Sequence, residues 1–266
     1  MFYAHRSDRH NFIMCTNGRC GSTLLKRWYL KLHGLPVPVE SDYSSVHQAL
    51  MYDDPRFFVD REKFNAMPHY KFLTVRNPWE RLVSFYKVFV AINQQNHEGL
   101  GRAASFQDLV DRLVKHGPSD AHVISQTEQL DGLKFERIVY VEDFEPGMRA
   151  VCAESGVPWE EGVFSKRVFP SPTTSNESWG SDKISKTPGG MFVEKEVWPH
   201  WRDFYTPKLL ASVSEIYAKD IEAFGYKLDG TSGSLELPPR VDTKVKPEAA
   251  PDSKKVTRRS KYRRGV

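Results

Sequence analysis

Apolar positions along the chain change period several times, and each change marks an element. Phe12 to Cys15 is a short unbroken apolar run. Ser22 to Leu32 follows with Leu24, Leu25, Trp28 and Leu32 spaced for one face of a helix, closed by Gly34 and Pro36. The pattern repeats further on. "YKFLTVR", Tyr70 to Arg76, reads as a second buried strand, and "NPWERLVSFYKVFVAI" as the helix after it. Asn77 is placed to cap that helix, Pro78 suits its first position, and Glu80 stands where a capping-box acid belongs. Leu82, Phe85, Tyr86 and Phe89 then form its inner face.

Ser105 caps a third helix running to Lys115. Arg137 to Glu142 reads as a third strand, and Pro146 to Ser155 as a helix stopped by Gly156. One long amphipathic helix is expected from Thr206–Pro207 to Gly225. The stretch from Glu40 to Asp60 is mixed, with room for a short helix around His47 to Met51. Arg167 to Gly190 reads as a long polar loop, of a length that is usually functional. Strands alternating with helices predict an α/β fold, a central parallel sheet flanked by helices.

Composition changes this picture in one place. The 266 residues are 39% hydrophobic, enough to bury a substantial core, yet the net charge of +4 is unevenly spread. Residues 243–266 hold nine Lys/Arg against two Asp/Glu, a local +7, which leaves the rest of the chain at −3. Two regions are therefore expected, a folded domain over 1–228 and a linker with a basic, disordered tail over 229–266. The acidic body argues against reading the whole chain as a nucleic-acid binder. Cys15, Cys20 and Cys152 form neither a disulfide framework nor a paired metal spacing. No run of about 18 apolar residues is present, and the start has no apolar core of the signal-peptide kind. A soluble, cytoplasmic protein is expected, with a tail able to touch an anionic surface.

The loop "TNGRCGST" carries the first chemistry. A strand, a tight loop and a helix start aim backbone N–H groups at one point. Gly18 and Gly21 allow close backbone approach, and Arg19 adds a guanidinium suited to phosphate or sulfate oxygens. Ser22 and Thr23 add hydroxyls, and Lys26 lies about one turn further in. A nucleotide-hydrolysing loop would place lysine before its Ser/Thr, and here that position is Gly21. Arg76 stands at the carboxyl end of the second strand, where open α/β sheets bind ligands. Ser84 follows eight residues later. Taken singly, Arg76 could instead pair with Glu80 at the helix start, and Ser84 could be a plain helix-surface residue.

Together these segments resemble the sulfotransferases that use 3′-phosphoadenosine-5′-phosphosulfate (PAPS). "TNGRCGSTLLKRWY" resembles the family loop that grips the 5′-phosphosulfate, and "VRNPWERLVSFY" the segment that grips the 3′-phosphate. The resemblance is nearest to carbohydrate sulfotransferases of the chondroitin 4-O and HNK-1 type, sulfotransferase family 2, in a soluble bacterial-like form. "AHVISQTEQL" resembles the His-x-x-Pro-Gln segment of that group, with Ser125 in place of proline, and "FYTPKLLASVSEIYAKDIEAFGY" its C-terminal helix. Gly18–Arg19 departs from the Pro-Lys pair usual in the animal enzymes.

The resemblance implies a P-loop-containing nucleotide-hydrolase-like fold and a metal-independent transfer of a sulfuryl group to a hydroxyl, on a carbohydrate or glycoconjugate, with adenosine 3′,5′-bisphosphate as product. It places Arg19, Cys20, Gly21, Ser22, Thr23, Lys26, Arg76 and Ser84 on the donor, with Arg19 also catalytic. His47, between the two donor segments, takes the part of general base. His122 reads as structural or acceptor-side, and His69 and His200 as incidental. Glu40 and Asp42 are lesser candidates for the base. Lys183 and Lys186 could reach an anionic group, and Trp179, Trp198 and Trp201 a sugar ring. The rival functions are a small kinase of the same general fold and a nucleic-acid-binding protein acting through its tail.

Overall fold

The computed structural model describes residues 4–38, 59–92, 97–161, 180–195 and 198–228, with 46, 50, 164 and 235–236 besides. Four strands form one sheet in the order β1 (Ala4–Ser7), β2 (Phe12–Thr16), β3 (Tyr70–Val75) and β4 (Arg137–Tyr140). β2, β3 and β4 are parallel, with Phe12 opposite Tyr70 and Phe72 opposite Arg137. β1 runs antiparallel to β2 on the outer edge, Ala4 opposite Cys15. The sheet is therefore mixed rather than wholly parallel. β1 was hidden in the sequence because it is built from "AHRS", yet His5 and Ser7 are fully buried in it.

Every residue of β2 is buried, as expected of a parallel strand covered on both faces. Its side chains alternate between two cores. Phe12 and Met14, with Phe72 and Val139, pack against α1 (Ser22–Leu32) and α5 (Phe144–Ser155). The Phe12 and Trp28 rings stack at 5.4 Å there. Ile13 and Cys15, with Leu73 and Val75, face α2 (Pro78–Phe85), α3 (Phe106–His116) and α8 (Pro207–Ile216). Ser105 caps α3 in a full capping box with Asp108, and Asn77 caps α2 by accepting from the Glu80 N–H.

Several elements differ from the sequence reading. The helix after Asn77 is α-helical only to Phe85 and continues as a π-helix over Tyr86–Ile92. The expected long C-terminal helix is two, α8 and α9 (Ala218–Ala223), broken at Tyr217, whose hydroxyl donates to the Val123 carbonyl at 2.6 Å. The far end of the expected polar loop is helical, as α6 (Ser181–Lys186) and α7 (Gly189–Glu194). The glycines of "TPGG", at the end of that expected loop, serve close packing. A β-carbon on Gly189 would stand 2.6 Å from Cβ of Ala91 and 3.0 Å from the Tyr86 hydroxyl. Between Ser125 and Gly132 the chain also forms α4 (Gln126–Leu130), and Leu235–Glu236 pairs back on Lys227–Leu228 inside the segment expected to be linker. No helix among the described residues is long and apolar enough to cross a membrane. The 243–266 tail lies outside the described residues.

Candidate active site

The site begins where β2 ends. Asn17 accepts from the Cys20 N–H at 3.2 Å, closing a tight turn, and α1 starts at Ser22. Arg19 (φ 65°) and Gly21 (φ 78°) both take the left-handed conformation, which arginine adopts at a cost of about 1–2 kcal/mol. Gly21, at the N-cap of α1, has no side chain to cap it, and the first turn holds no acidic residue. Its leading N–H groups, with the positive end of the helix dipole, therefore face a region suited to an anion.

Arg19 reaches out of this loop to the second segment. Its guanidinium donates to the Ser84 hydroxyl from Nε at 3.2 Å and from Nη2 at 2.8 Å, and lies 5.8 Å from the Phe89 ring centre. Arg76, at the exit of β3, donates to the Arg19 carbonyl at 3.3 Å and pairs with Glu80 at 2.6 Å. The helix-start pairing of Arg76 is thus present alongside its place at the carboxyl end of β3. Burial works against the Arg76 charge, but the Glu80 carboxylate beside it holds its pKa above the ordinary range.

Several buried donors at the site have no hydrogen-bond partner among the described residues: Asn17 Nδ2, Arg76 Nε and Arg81 Nη2. Unsatisfied buried donors are costly, so such a cluster beside an uncapped helix start fits an anionic ligand.

This strand, cradle and helix lie within a longer match. Residues 4–227 match the model of the Sulfotransferase family. The chain belongs to the sulfotransferase family. No curated protein and no solved structure matches it.

Within this sulfotransferase the expected donor residues are brought together, though not in equal roles. Gly21, Ser22, Thr23 and Lys26 sit at the head of α1, and Arg19, Arg76 and Ser84 gather beside it. Lys26 is 2% exposed, and burial lowers its pKa to about 8. Cys20 is fully buried. Its thiol bonds the Gln126 Oε1 at 3.0 Å, and burial pushes its pKa up to about 11, so it shapes the loop rather than offering a reactive thiolate.

His47, Glu40, Asp42 and Trp179 lie outside the described residues. His122 is at the site. Its Cδ2 would come within 2.7 Å of a β-carbon on Gly18, and its ring stands 4.4 Å from that of Phe89. His69 instead pairs with Asp8 at 2.9 Å, and His200 caps a 3-10 turn over Trp201–Phe204. Lys186 pairs with Asp182 at 2.9 Å, and Trp201 packs against Tyr205 and the Arg202 guanidinium. Trp198 covers Lys87, whose ammonium is 5.2 Å from its ring centre.

Sequence reasoning passed over the residues that hold the site in shape. Arg81, 1% exposed, donates from Nε to the Gly18 carbonyl at 3.0 Å and from Nη1 to the Ile124 carbonyl at 2.9 Å. One side chain thus ties the cradle to the turn that carries His122. The Gln126 amide pairs with the Arg76 backbone, accepting its N–H at 3.1 Å and donating to its C=O at 2.9 Å. Asp220, fully buried on α9, accepts from the backbone N–H groups of Gln126 at 2.8 Å and Thr127 at 2.9 Å and from the Ser125 and Thr127 hydroxyls. The signal was an arginine and an aspartate among apolar helix positions, which only pairing makes affordable.

Proposed function

We propose that this protein moves a sulfuryl group from PAPS to a hydroxyl of a carbohydrate acceptor, in the manner of the chondroitin 4-O and HNK-1 type enzymes its motifs resemble. One observation carries the donor reading: an uncapped, acid-free helix start faces the Arg19–Ser84–Arg76 cluster, where buried donors lack partners. The head of α1 with Arg19 and Lys26 would hold the 5′ end of the donor, and Arg76 with Ser84 the 3′-phosphate. The donor supplies an activated sulfuryl group joined to a phosphate. The protein neutralises the phosphates, holds the donor still and keeps competing water out. The absence of lysine directly before Ser22 supports a ligand other than a metal-bound triphosphate.

Calorimetry with adenosine 3′,5′-bisphosphate in EDTA tests this. Binding without metal is expected, and Arg76→Ala should weaken it by about 2–3 kcal/mol, the worth of a charged hydrogen-bonding partner. Unchanged affinity in that variant would remove Arg76 from the donor site, and binding of ATP only with Mg²⁺ would favour the kinase instead. A labelled-sulfate transfer screen over sugars, lipids and small alcohols then finds the acceptor.

A further inference from the structure

We propose that Lys87 is a further donor-binding residue, a cation that contacts the 3′-phosphate beside Arg76 and Ser84, with residues 198–204 walling that end of the site. The inference rests on the sulfuryl-transfer reading and deepens it at one phosphate.

Lys87 stands on the side of the helix that already carries the donor cluster. Glu80, Ser84 and Lys87 are spaced four and three apart, so they project from one face of α2 and of the π-helical turns that extend it. Glu80 holds Arg76 at 2.6 Å, and Ser84 holds Arg19 at 2.8 Å. Lys87 is next in this row. It also opens the π-helical stretch, a geometry frequent at functional sites.

No carboxylate among the described residues pairs with its ammonium. An ammonium has three N–H donors, yet here its one hydrogen bond is to the Pro199 carbonyl, at 3.3 Å, long for a charged donor. The rings of Trp198, at 5.2 Å, and Phe204, at 5.8 Å, cover it, and aromatic faces hold a cation without cancelling its charge. The two nearby carboxylates are engaged elsewhere. Glu80 accepts from Arg76 and Asn77, and Asp203 accepts the His200 N–H at 3.0 Å.

The surroundings are instead positive. Burial, and then the Arg76 charge, lower the Lys87 pKa to about 8, so the two cations stand within electrostatic reach of each other. His200 and Arg202 complete the charged groups on this side. A half-buried ammonium beside another cation is unfavourable in the free protein. An anion with several acceptor oxygens offsets that cost, and a phosphate offers them in more than one direction. The cations flanking Ser84 come from three directions too: Arg19 from the loop after β2, Arg76 from the end of β3 and Lys87 from the helix that follows.

Adenosine 5′-monophosphate lacks only the 3′-phosphate of the bisphosphate, so the pair of ligands isolates that group. Lys87→Met keeps the buried stem and removes the charge. Competition calorimetry at pH 7, where Lys87 is protonated, should show the bisphosphate weakened by about 10- to 100-fold in the variant, the worth of a charged hydrogen bond, and the monophosphate unchanged within about twofold. Unchanged bisphosphate affinity would overturn the proposal. An equal loss for both ligands would overturn it too, making Lys87 a structural support. The wild type supplies a test that no folding defect can confound. ¹³C NMR of the lysine ε-carbons should show the Lys87 pKa raised by the bisphosphate and not by the monophosphate. No response, or the same response to both, would again overturn the proposal. Failure of the wild type to bind the bisphosphate at all would instead remove the donor reading, and this contact with it.

Discussion

The Arg19 guanidinium closes on the Ser84 hydroxyl with two donors, Nε at 3.2 Å and Nη2 at 2.8 Å, across 65 residues of chain. The two segments that the sequence assigns to opposite ends of one ligand are thereby joined by a single side chain. Arg19 does this from a left-handed backbone, so the loop stores strain to aim it. Binding and stability can be separated at this position. Arg19→Ala keeps the strain and Arg19→Gly relieves it, so the glycine variant should be the more stable of the two by about 1 kcal/mol. Both should lose affinity for adenosine 3′,5′-bisphosphate, as should Ser84→Ala. Chemical denaturation and calorimetry on the three variants give both numbers. Equal stability of the two Arg19 variants would contradict the strain, and retained affinity in all three would remove both residues from the donor site.

Gly18 is needed for space rather than for backbone freedom. A β-carbon there would meet His122 Cδ2 at 2.7 Å and its Cα at 3.0 Å. The Gly18 carbonyl is also held by Arg81, so the loop cannot easily retreat. Gly18→Ala should therefore destabilise by about 1–3 kcal/mol, the usual cost of overpacking. A crystal structure of the variant would show the displaced ring. Wild-type stability would mean that the His122 turn yields freely.

Asp220 gathers more donors than any other carboxylate described at the site: two backbone N–H groups, two hydroxyls and the Gln126 amide at 3.3 Å. Removing it leaves these groups buried and unpaired. Asp220→Ala should cost at least about 3 kcal/mol, in the range seen when a buried charge network is broken. Asp220→Asn, still an acceptor through one oxygen, should cost less. Thermal denaturation of both variants checks the order, and equal losses would show that charge rather than hydrogen bonding holds α4 in place.

The contrast between the legible and the hidden parts follows from range. α1 was readable to the residue, since Leu25 and Trp28 give a one-sided stripe and Gly34 stops it. The caps at Asn77 and Ser105 were equally plain, being chemistry within three residues. β1 was not, because tertiary pairing buries His5 and Ser7 against their own preferences. Nor was the break at Tyr217, where the hydroxyl bonds Val123, 94 residues earlier in the chain. At the site, Arg19 and Arg76 stood out as anion-binding types at the ends of strands, whereas Ser84, inside α2, was singled out only by the family resemblance. The bracing by Arg81, Gln126 and Asp220 was invisible, since each acts through a partner that no local pattern names. The long loop misled for a related reason: Gly189 and Gly190 look like turn formers, but they let a helix sit against Ala91 and Arg102.

Lys26 gives the site a proton-linked signature. It is buried one turn inside α1, and burial alone lowers its pKa from 10.5 to about 8. A phosphate dianion at the helix start favours the ammonium and should raise that pKa again. The direction follows. Below pH 8 the lysine is already protonated in the free protein, and binding leaves it so. Between about pH 8 and 10.5 the free protein holds it mostly neutral, and binding of adenosine 3′,5′-bisphosphate must draw a proton from solvent. The ligand's own phosphates, with a second pKa near about 6, are fully ionised there and take up none. Affinity should therefore fall as pH rises through 8, and the calorimetric enthalpy at pH 9 should vary with the ionisation enthalpy of the buffer. Lys87, whose pKa burial and then Arg76 also lower to about 8, is the second group able to contribute. Lys26→Met, which keeps the buried stem and removes the charge, separates the two. Loss of the buffer dependence assigns the uptake to Lys26, and its persistence assigns it to Lys87. A binding enthalpy at pH 9 that is the same in every buffer would show that neither lysine faces the phosphates.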